Sequence, residues 1–169
     1  KTAGGAKCWG NNFYGQLGDN STNQWLVPTN PVGLASGVSA IATGRYHSCA
    51  LVSGAVKCWG RNEKGEIGDG STTQRLAPVA VSGLSSGVLA IAAGEQHTCA
   101  VTSAGALMCW GKNQFGQLGN GNTTDQWTPV SVVGMGSGVV AVTAGNNHTC
   151  ARTSAGASKC WGYNYYGAL

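Results

Sequence analysis

The sequence predicts an all-β protein made of β-propeller blades, each a sheet of four antiparallel strands. The tripeptide Cys-Trp-Gly occurs four times with spacings of 50, 51 and 51 residues, beginning at Cys8, Cys58, Cys109 and Cys160. Short apolar or alternating stretches, separated by Gly, Ser, Thr and Asn, fill each interval without the 3.6-residue period of a helix. In a β-propeller, four-stranded sheets are repeated around a central axis, which leaves only short, protected sheet edges.

The repeat also sets the organisation of the chain. We divide it into repeats 8–57, 58–108 and 109–159, with partial repeats 1–7 and 160–169 at the two ends. In the second copy we expect strands at 76–81, 88–92, 97–102 and 106–110. Four strands in one repeat fit a propeller blade, whereas the coils of a β-solenoid, the competing architecture, are usually shorter.

The composition excludes several function classes. The ten Lys and Arg residues are scattered singly among 169, so no basic stripe is present to bind nucleic acid. No apolar run is long enough for membrane insertion. The six acidic residues form no pair with a matching histidine and no Gly-x-Ser-x-Gly motif occurs, which argues against an enzyme; no metal or cofactor is expected. Seven cysteines favour an oxidising location, extracellular or on the cell surface.

The hairpin after each His-x-Cys element predicts how six cysteines pair. If Ser53 and Gly54 form a two-residue turn, counting outward makes the cysteines the fourth, non-hydrogen-bonded pair, with Cα atoms about 4.5 Å apart. The other two hairpins carry one extra residue in a Ser-Ala-Gly turn, which leaves the register intact. The predicted pairs are Cys49 with Cys58, Cys99 with Cys109, and Cys150 with Cys160.

Other cysteine chemistries fit the spacing less well. A zinc site would need two further ligands per blade, and a redox site would have a Cys-x-x-Cys spacing or an electropositive helix terminus. Buried reduced thiols remain as an alternative. Cys8 is expected to be unpaired, because aligning Gly4 with the turn glycine Gly105 places its partner strand before the first residue.

The repeated histidines and tryptophans are interpreted as scaffold. One catalytic or binding site would not need the same histidine in every repeat, so we expect partly buried imidazoles bonded to backbone in the next turn. Each tryptophan is expected to pack between blades. The residues concerned are His47, His97, His148, Trp9, Trp59, Trp110 and Trp161. Similarly, Asn12, Asn62, Asn113 and Asn164 fit turns closed by the side chain.

The repeated pattern resembles a known family. H-x-C-A-L/V followed by C-W-G-x-N-x-x-G-Q-L-G, every 50 or 51 residues, is similar to the regulator of chromosome condensation repeat, and most of all to its cysteine-containing bacterial form. The resemblance covers essentially the whole chain and implies a propeller, usually of seven blades. Known members are platforms for macromolecules: a guanine-nucleotide exchange factor on chromatin, a plant ultraviolet-B photoreceptor and a secreted bacterial β-lactamase inhibitor. The cysteines and low charge agree best with the secreted branch.

The length of the chain indicates how many propeller blades it can form. A closed propeller needs at least four blades, and the chain holds about three. We therefore expect an excerpt of a longer repeat chain, with an open superhelical array or filament as the alternative.

Positions that vary between repeats are the candidates for recognition. Fixed positions specify the blade, whereas variable aromatic and basic residues on glycine-rich loops are typical of binding surfaces. We align Trp25, Arg75 and Trp127 as one variable position before the prolines. The other partner-binding candidates are Tyr14, Lys64, Phe115, Tyr46 and Tyr166.

Two functional hypotheses follow. In the first, the chain is a non-catalytic extracellular scaffold that binds a protein partner through its variable loops. In the second, it is a structural repeat that self-associates into a surface array or fibre. A glycan-binding module and a platform like a guanine-nucleotide exchange factor are further alternatives.

Overall fold

The computed structural model describes residues 4–169, which form thirteen β-strands and no helix. Residues 1–3, part of the predicted partial repeat 1–7, lie outside the described residues. The all-β prediction is confirmed. The strands are β1 (Cys8–Gly10), β2 (Trp25–Thr29), β3 (Val38–Thr43), β4 (His47–Val52), β5 (Ala55–Gly60), β6 (Arg75–Ala80), β7 (Val88–Ala93), β8 (His97–Thr102), β9 (Leu107–Gly111), β10 (Gln126–Ser131), β11 (Val139–Ala144), β12 (His148–Thr153) and β13 (Ser158–Gly162).

The strands form four antiparallel sheets in which neighbours follow chain order. Two sheets are complete four-stranded units, β3–β6 and β7–β10, while β1–β2 and β11–β13 form sheets of two and three strands. Cys-Trp-Gly lies in the third strand of each four-stranded sheet, so a sequence repeat runs from one sheet into the next. Within residues 4–169 no helix is present that could cross a membrane.

The hairpins have the register that counting predicts. Ser53 and Gly54 both have positive φ, 50° and 82°, as the two-residue turn that suits strand twist requires. Val52 therefore pairs with Ala55, and the cysteines become the fourth pair. The three predicted cysteine pairs stand at disulfide-bonding distance, each with a Cα–Cα separation of 4.1 Å: Cys49–Cys58, Cys99–Cys109 and Cys150–Cys160. Cys8 is free and half-buried.

The core lies in the seams between neighbouring sheets. The first seam joins β1–β2 to β3–β6, the second joins β3–β6 to β7–β10, and the third joins β7–β10 to β11–β13. Cys49 and Cys58 pack in one buried cluster with Ile67 of their own unit and Trp110 of the next sheet. The second pair of cysteines packs in the same way with Trp161 at its margin. Because these apolar contacts join neighbouring sheets, each sheet needs the next one to complete its core.

The first strands of successive sheets converge, so β3 contacts β7 and β7 contacts β11. Glycine is required where they approach most closely. A Cβ on Gly44 would lie 2.5 Å from the carbonyl oxygen of Gly94 and 2.2 Å from Cε1 of His47. Gly94 and Gly145 occupy the equivalent positions and lie against the equivalent histidines.

Candidate interaction face

One end of the sheets carries the two kinds of loop that vary between repeats. In a sheet of consecutive antiparallel strands, the connection between strands one and two and that between strands three and four emerge at the same end. The short connections are 44–46, 94–96 and 145–147, and the long ones are 11–24, 61–74 and 112–125. We call this end the loop face.

A buried asparagine closes each long loop. Asn62 is 1% exposed; its Nδ2 donates to the carbonyl oxygens of Ser71 and Thr73, both at 3.0 Å, and its Oδ1 accepts from the Ile67 amide at 2.9 Å. Asn12 and Asn113 bond in the same manner. The side-chain-closed turn expected from the sequence is therefore what holds the variable loop segments in place.

A buried hydrogen-bond chain crosses the second seam beneath the loop face. His47 Nε2 lies 2.9 Å from Thr98 Oγ1, and Thr98 Oγ1 donates to the Glu66 carbonyl oxygen at 3.0 Å. Trp110 Nε1 donates to the same carbonyl at 2.9 Å. Since Thr98 has a single proton and gives it to Glu66, it accepts from His47, which fixes the Nε2–H tautomer. The next seam repeats the chain with His97, Thr149, Gln117 and Trp161.

This chain corrects the expectation for the histidines. The partner of His47 and of His97 is a hydroxyl of the following repeat, not backbone in the next turn, and both rings are fully buried, not partly. His148 is half-buried. Burial lowers the pKa of His47 to about 4 and that of His97 to about 3. Both imidazoles are therefore neutral at physiological pH, and a ring held this way joins sheets and does no proton transfer at the surface.

The repeated tryptophans occupy unequal environments. Trp59 and Trp110 are fully buried and Trp161 is half-buried, whereas Trp9 is 59% exposed, unlike the interior position expected of it. Trp59 uses its Nε1 to donate to the Gln16 carbonyl oxygen at 2.8 Å. Trp59, Trp110 and Trp161 thus each donate a hydrogen bond to a carbonyl oxygen in the long loop of the preceding sheet.

Three variable positions recur above each seam, and aromatic side chains meet there at the first and third seams. At the first seam the rings of Tyr14 and Tyr46 are 4.9 Å apart, and the Arg61 guanidinium lies 5.3 Å from the first ring centroid and 5.7 Å from the second. The equivalent positions at the second seam hold Lys64, Gln96 and Lys112. At the third they hold Phe115, Asn147 and Tyr163, with the two rings 4.6 Å apart.

The structure thus brings Tyr14 and Tyr46, two predicted site residues, into contact. Arg61 and Tyr163, which complete their groups, both lie at the variable position directly before the loop asparagine, which the comparison of repeats also marks as available for recognition. Tyr166 is 86% exposed and contacts the rings of Tyr163 and Tyr165.

The alignment of Trp25, Arg75 and Trp127 as one position is wrong. Trp25 pairs with Gly10 and Arg75 with Gly60, but the residue opposite the third such glycine is Gln126. Trp127 instead corresponds to Leu26 and Leu76, one residue later. Counting back three residues from each proline would have shown this.

Trp25 and Arg75 each donate a hydrogen bond to the aspartate of the long loop that precedes them. Trp25 Nε1 donates to Asp19 Oδ2 at 2.6 Å, and Arg75 Nε donates to Asp69 Oδ2 at 2.7 Å. Burial by itself would raise the pKa of Asp69, but hydrogen bonds from Ser71 and Arg75 outweigh it and hold the pKa below its usual value. Both acids are thus anchored in their own loops, so these two candidates are partly committed to the scaffold.

Metal and catalytic chemistry gain no support from this face. Among residues 4–169 no three His, Cys, Asp or Glu side chains are grouped so that they could hold a metal ion. Four of the loop carboxylates are paired with arginine or lysine: Glu95 with Arg45, Glu63 with Arg61, Asp125 with Lys64 and Asp69 with Arg75. The face is suited to contact, with aromatic and cationic groups on rigid loops.

Antiparallel four-stranded sheets joined through buried seams define a repeat protein of the β-propeller class. The chain belongs to the regulator of chromosome condensation (RCC1) repeat family, whose repeat matches residues 7–51, 53–101 and 104–152. Solved structures agree. Human WBSCR16 superposes with a TM-score of 0.82 at 26% identity, covering 95% of this chain and 43% of that one. Prp20p from Saccharomyces cerevisiae has a TM-score of 0.81 at 24% identity, covering 98% and 42%.

Curated relatives match a shorter stretch. The protein RCC2 homolog of Danio rerio is 42% identical over 69 residues, which is 40% of this chain and 14% of that protein. The ultraviolet-B receptor UVR8 of Arabidopsis thaliana is 41% identical over 69 residues, 40% of this chain and 16% of the receptor. The chain thus spans a small part of the length of these relatives.

Proposed function

We propose that this chain is a non-catalytic, extracellular protein-interaction scaffold of the secreted bacterial kind, which binds a macromolecular partner through its loop face. Membership of the RCC1 repeat family supports a role as a platform. The structure of the similar Prp20p was described together with its binding to Gsp1p and histones, which are protein partners of that molecule.

One observation carries the proposal: the buried frame repeats while the seam groups above it change. The histidine, hydroxyl, carbonyl and tryptophan chain has the same geometry at two seams. The three residues above the seams are two tyrosines and an arginine at the first, two lysines and a glutamine at the second, and Phe, Asn and Tyr at the third. Stability does not require this variation, so we assign it to recognition.

The charge of the loop face favours a protein over nucleic acid. Apart from the buried Glu66, its loops and strand ends carry five cationic and five acidic residues, whose formal charges balance to zero. Phosphate backbones are bound by net positive surfaces, and this face offers none. The cationic residues are Arg45, Arg61, Lys64, Arg75 and Lys112; the acidic ones are Asp19, Glu63, Asp69, Glu95 and Asp125.

The extracellular location is proposed from the cysteines. Three cross-strand pairs lie at bonding distance, and two of them are wholly buried in the seams. Disulfides persist in oxidising compartments and are rare in reducing ones.

Capture from secreted and envelope proteins tests the face. Tyr14→Ala combined with Tyr46→Ala should abolish capture, because it removes the aromatic pair of the first seam and the support of Arg61. Ser85→Ala, exposed on the opposite end of the sheets, is the control and should capture normally. Unchanged capture by the double variant would refute the assignment. Regular polymers of the wild-type chain in light scattering would favour the array alternative instead.

A further inference from the structure

The geometry points to a second ligand class: we propose that a groove at the second seam of the loop face binds a saccharide. The groove has a volume of about 610 Å³ and lies between loops 61–74 and 112–125. Trp127 forms one wall, and polar side chains that include Lys64, Lys112, Gln114 and Asp125 form the rest. The site is distinct from the tyrosine pair of the first seam.

Trp127 is larger than the scaffold requires. The equivalent residues in the preceding two repeats are Leu26 and Leu76, and a leucine there packs against the preceding loop: a Cβ on Gly15 would lie 2.5 Å from Leu76 Cδ2. Trp127 makes the same contact, since a Cβ on Gly65 would lie 2.7 Å from its Cδ1, yet its side chain leaves the residue 52% exposed. The indole is thus seated by the scaffold and presents aromatic surface that the fold does not use.

The polar part of the lining supplies hydrogen-bonding groups already held in position. Lys64 Nζ lies 3.4 Å from Asp125 Oδ2, and Asp125 Oδ1 accepts from the Asn113 amide at 2.8 Å. Gln114 and Thr123 add exposed donors and acceptors. A sugar ring offers an apolar C–H face and a rim of hydroxyls, which match one flat aromatic wall and a polar rim.

A peptide strand fits this site less well. Strand β10, which borders the groove, pairs only with β9 and so has a free outer edge. Pro129 lies within β10 and removes a backbone donor, which is how edge strands are protected from strand addition. The groove walls also lack the deep apolar pocket that anchors a peptide side chain.

In the described part of the chain, the first seam has no equivalent groove, because different side chains fill the corresponding positions. There the positions of Glu63 and Lys64 are occupied by Phe13 and Tyr14, whose rings pack edge to face at 4.9 Å, and Leu76 replaces the tryptophan. That seam therefore presents an aromatic cluster, while the second presents an open polar groove beside one indole.

The test is binding of the chain to an array of neutral and acidic oligosaccharides, followed by calorimetric titration of the best ligand, a readout that does not depend on the tryptophan being changed. Trp127→Leu restores the residue of the other repeats, so it should fold normally and bind at least tenfold more weakly. Asp125→Ala should also weaken binding. Ser85→Ala, on the opposite end of the sheets, should bind as the wild type does.

Three outcomes would overturn the proposal. The wild-type chain could bind no saccharide at millimolar concentration, or Trp127→Leu could bind as well as the wild type. Loss of protein capture in Trp127→Leu, without any saccharide binding by the wild type, would assign the groove to the protein partner. Because the tyrosine variants test the first seam separately, failure here leaves the protein-binding proposal standing.

Discussion

His47 and Thr98 lie 51 residues apart in sequence, yet His47 Nε2 is 2.9 Å from Thr98 Oγ1 in the buried seam between two sheets. The threonine hydroxyl in turn donates to the Glu66 carbonyl oxygen, which also accepts a hydrogen bond from Trp110 Nε1. One small hydroxyl thus connects three segments of two successive repeats.

Thr98→Val should therefore destabilise the chain by about 1–3 kcal/mol, because it leaves the buried His47 N–H without an acceptor. Thr98→Ser should cost much less, since Ser48 donates to the Gln16 carbonyl oxygen at 2.9 Å in the first seam. Urea unfolding of the two variants measures the difference. Equal losses for valine and serine would contradict a role for the hydroxyl.

Glu66→Gln should stabilise the chain at alkaline pH. Glu66 is 1% exposed, and burial raises its pKa from 4.5 to about 7. Gln16 and Gln117 make the equivalent backbone contact with a neutral amide, so the carboxylate is not needed for it. Because the folded state holds its proton more tightly, wild-type stability falls as pH rises from about 4.5 to 7.

The gain of Glu66→Gln should reach at most about 3 kcal/mol at pH 8 and vanish toward pH 4.5. Urea midpoints of both proteins across this range give the comparison. A gain that is the same at every pH would mean that packing, and not ionisation, is responsible.

Acid should destabilise the chain through His47 and His97. Their folded pKa values, about 4 and about 3, lie below the ordinary 6.5, so the unfolded state binds more protons below pH 6.5. Stability is then fully present above pH 6.5 and falls as pH drops toward 4, by about 1.4 kcal/mol per pH unit for each histidine.

The Glu66→Gln background makes this measurement clean, because Glu66 titrates in the opposite direction. In that background, His97→Asn should remove about half of the loss between pH 7.5 and pH 5. A pH dependence that survives unchanged would assign it to other groups.

Gly68→Ala should be among the most damaging small substitutions. A Cβ there would lie 2.6 Å from Trp110 Nε1, and Gly68 has a φ of +75°. Gly83→Ala is the matched control, since Gly83 has a φ of +73° with nothing within 4 Å of the added atom. Backbone strain of about 1 kcal/mol should appear in both, and a larger loss only in Gly68→Ala. Similar melting temperatures would refute the close indole contact.

Alkylation followed by mass spectrometry should label one cysteine, Cys8, before reduction and seven after it. Changing Cys99 and Cys109 together to alanine should cost about 3 kcal/mol, the loop entropy of so short a closure. Three or more labels on the unreduced chain would show reduced thiols instead.

The sequence by itself determined the repeat, the strands and the hairpin register. The expected strands of the second copy lie within one residue of β6 to β9, and the cysteine pairs followed from counting along one turn. These features succeed because they are local: strand alternation and turn length fix which residues face each other across nine or ten positions.

Only the tertiary structure decided what lies across a seam. The partner of His47, the grouping of Tyr14 with Tyr46 and Arg61, and the groove beside Trp127 all join residues from different repeats. The sequence repeat predicts that contacts between neighbouring sheets recur, but it does not identify which residues are in contact. That depends on how one sheet is rotated and packed against the next, which the buried seam contacts set and no pattern within one repeat encodes.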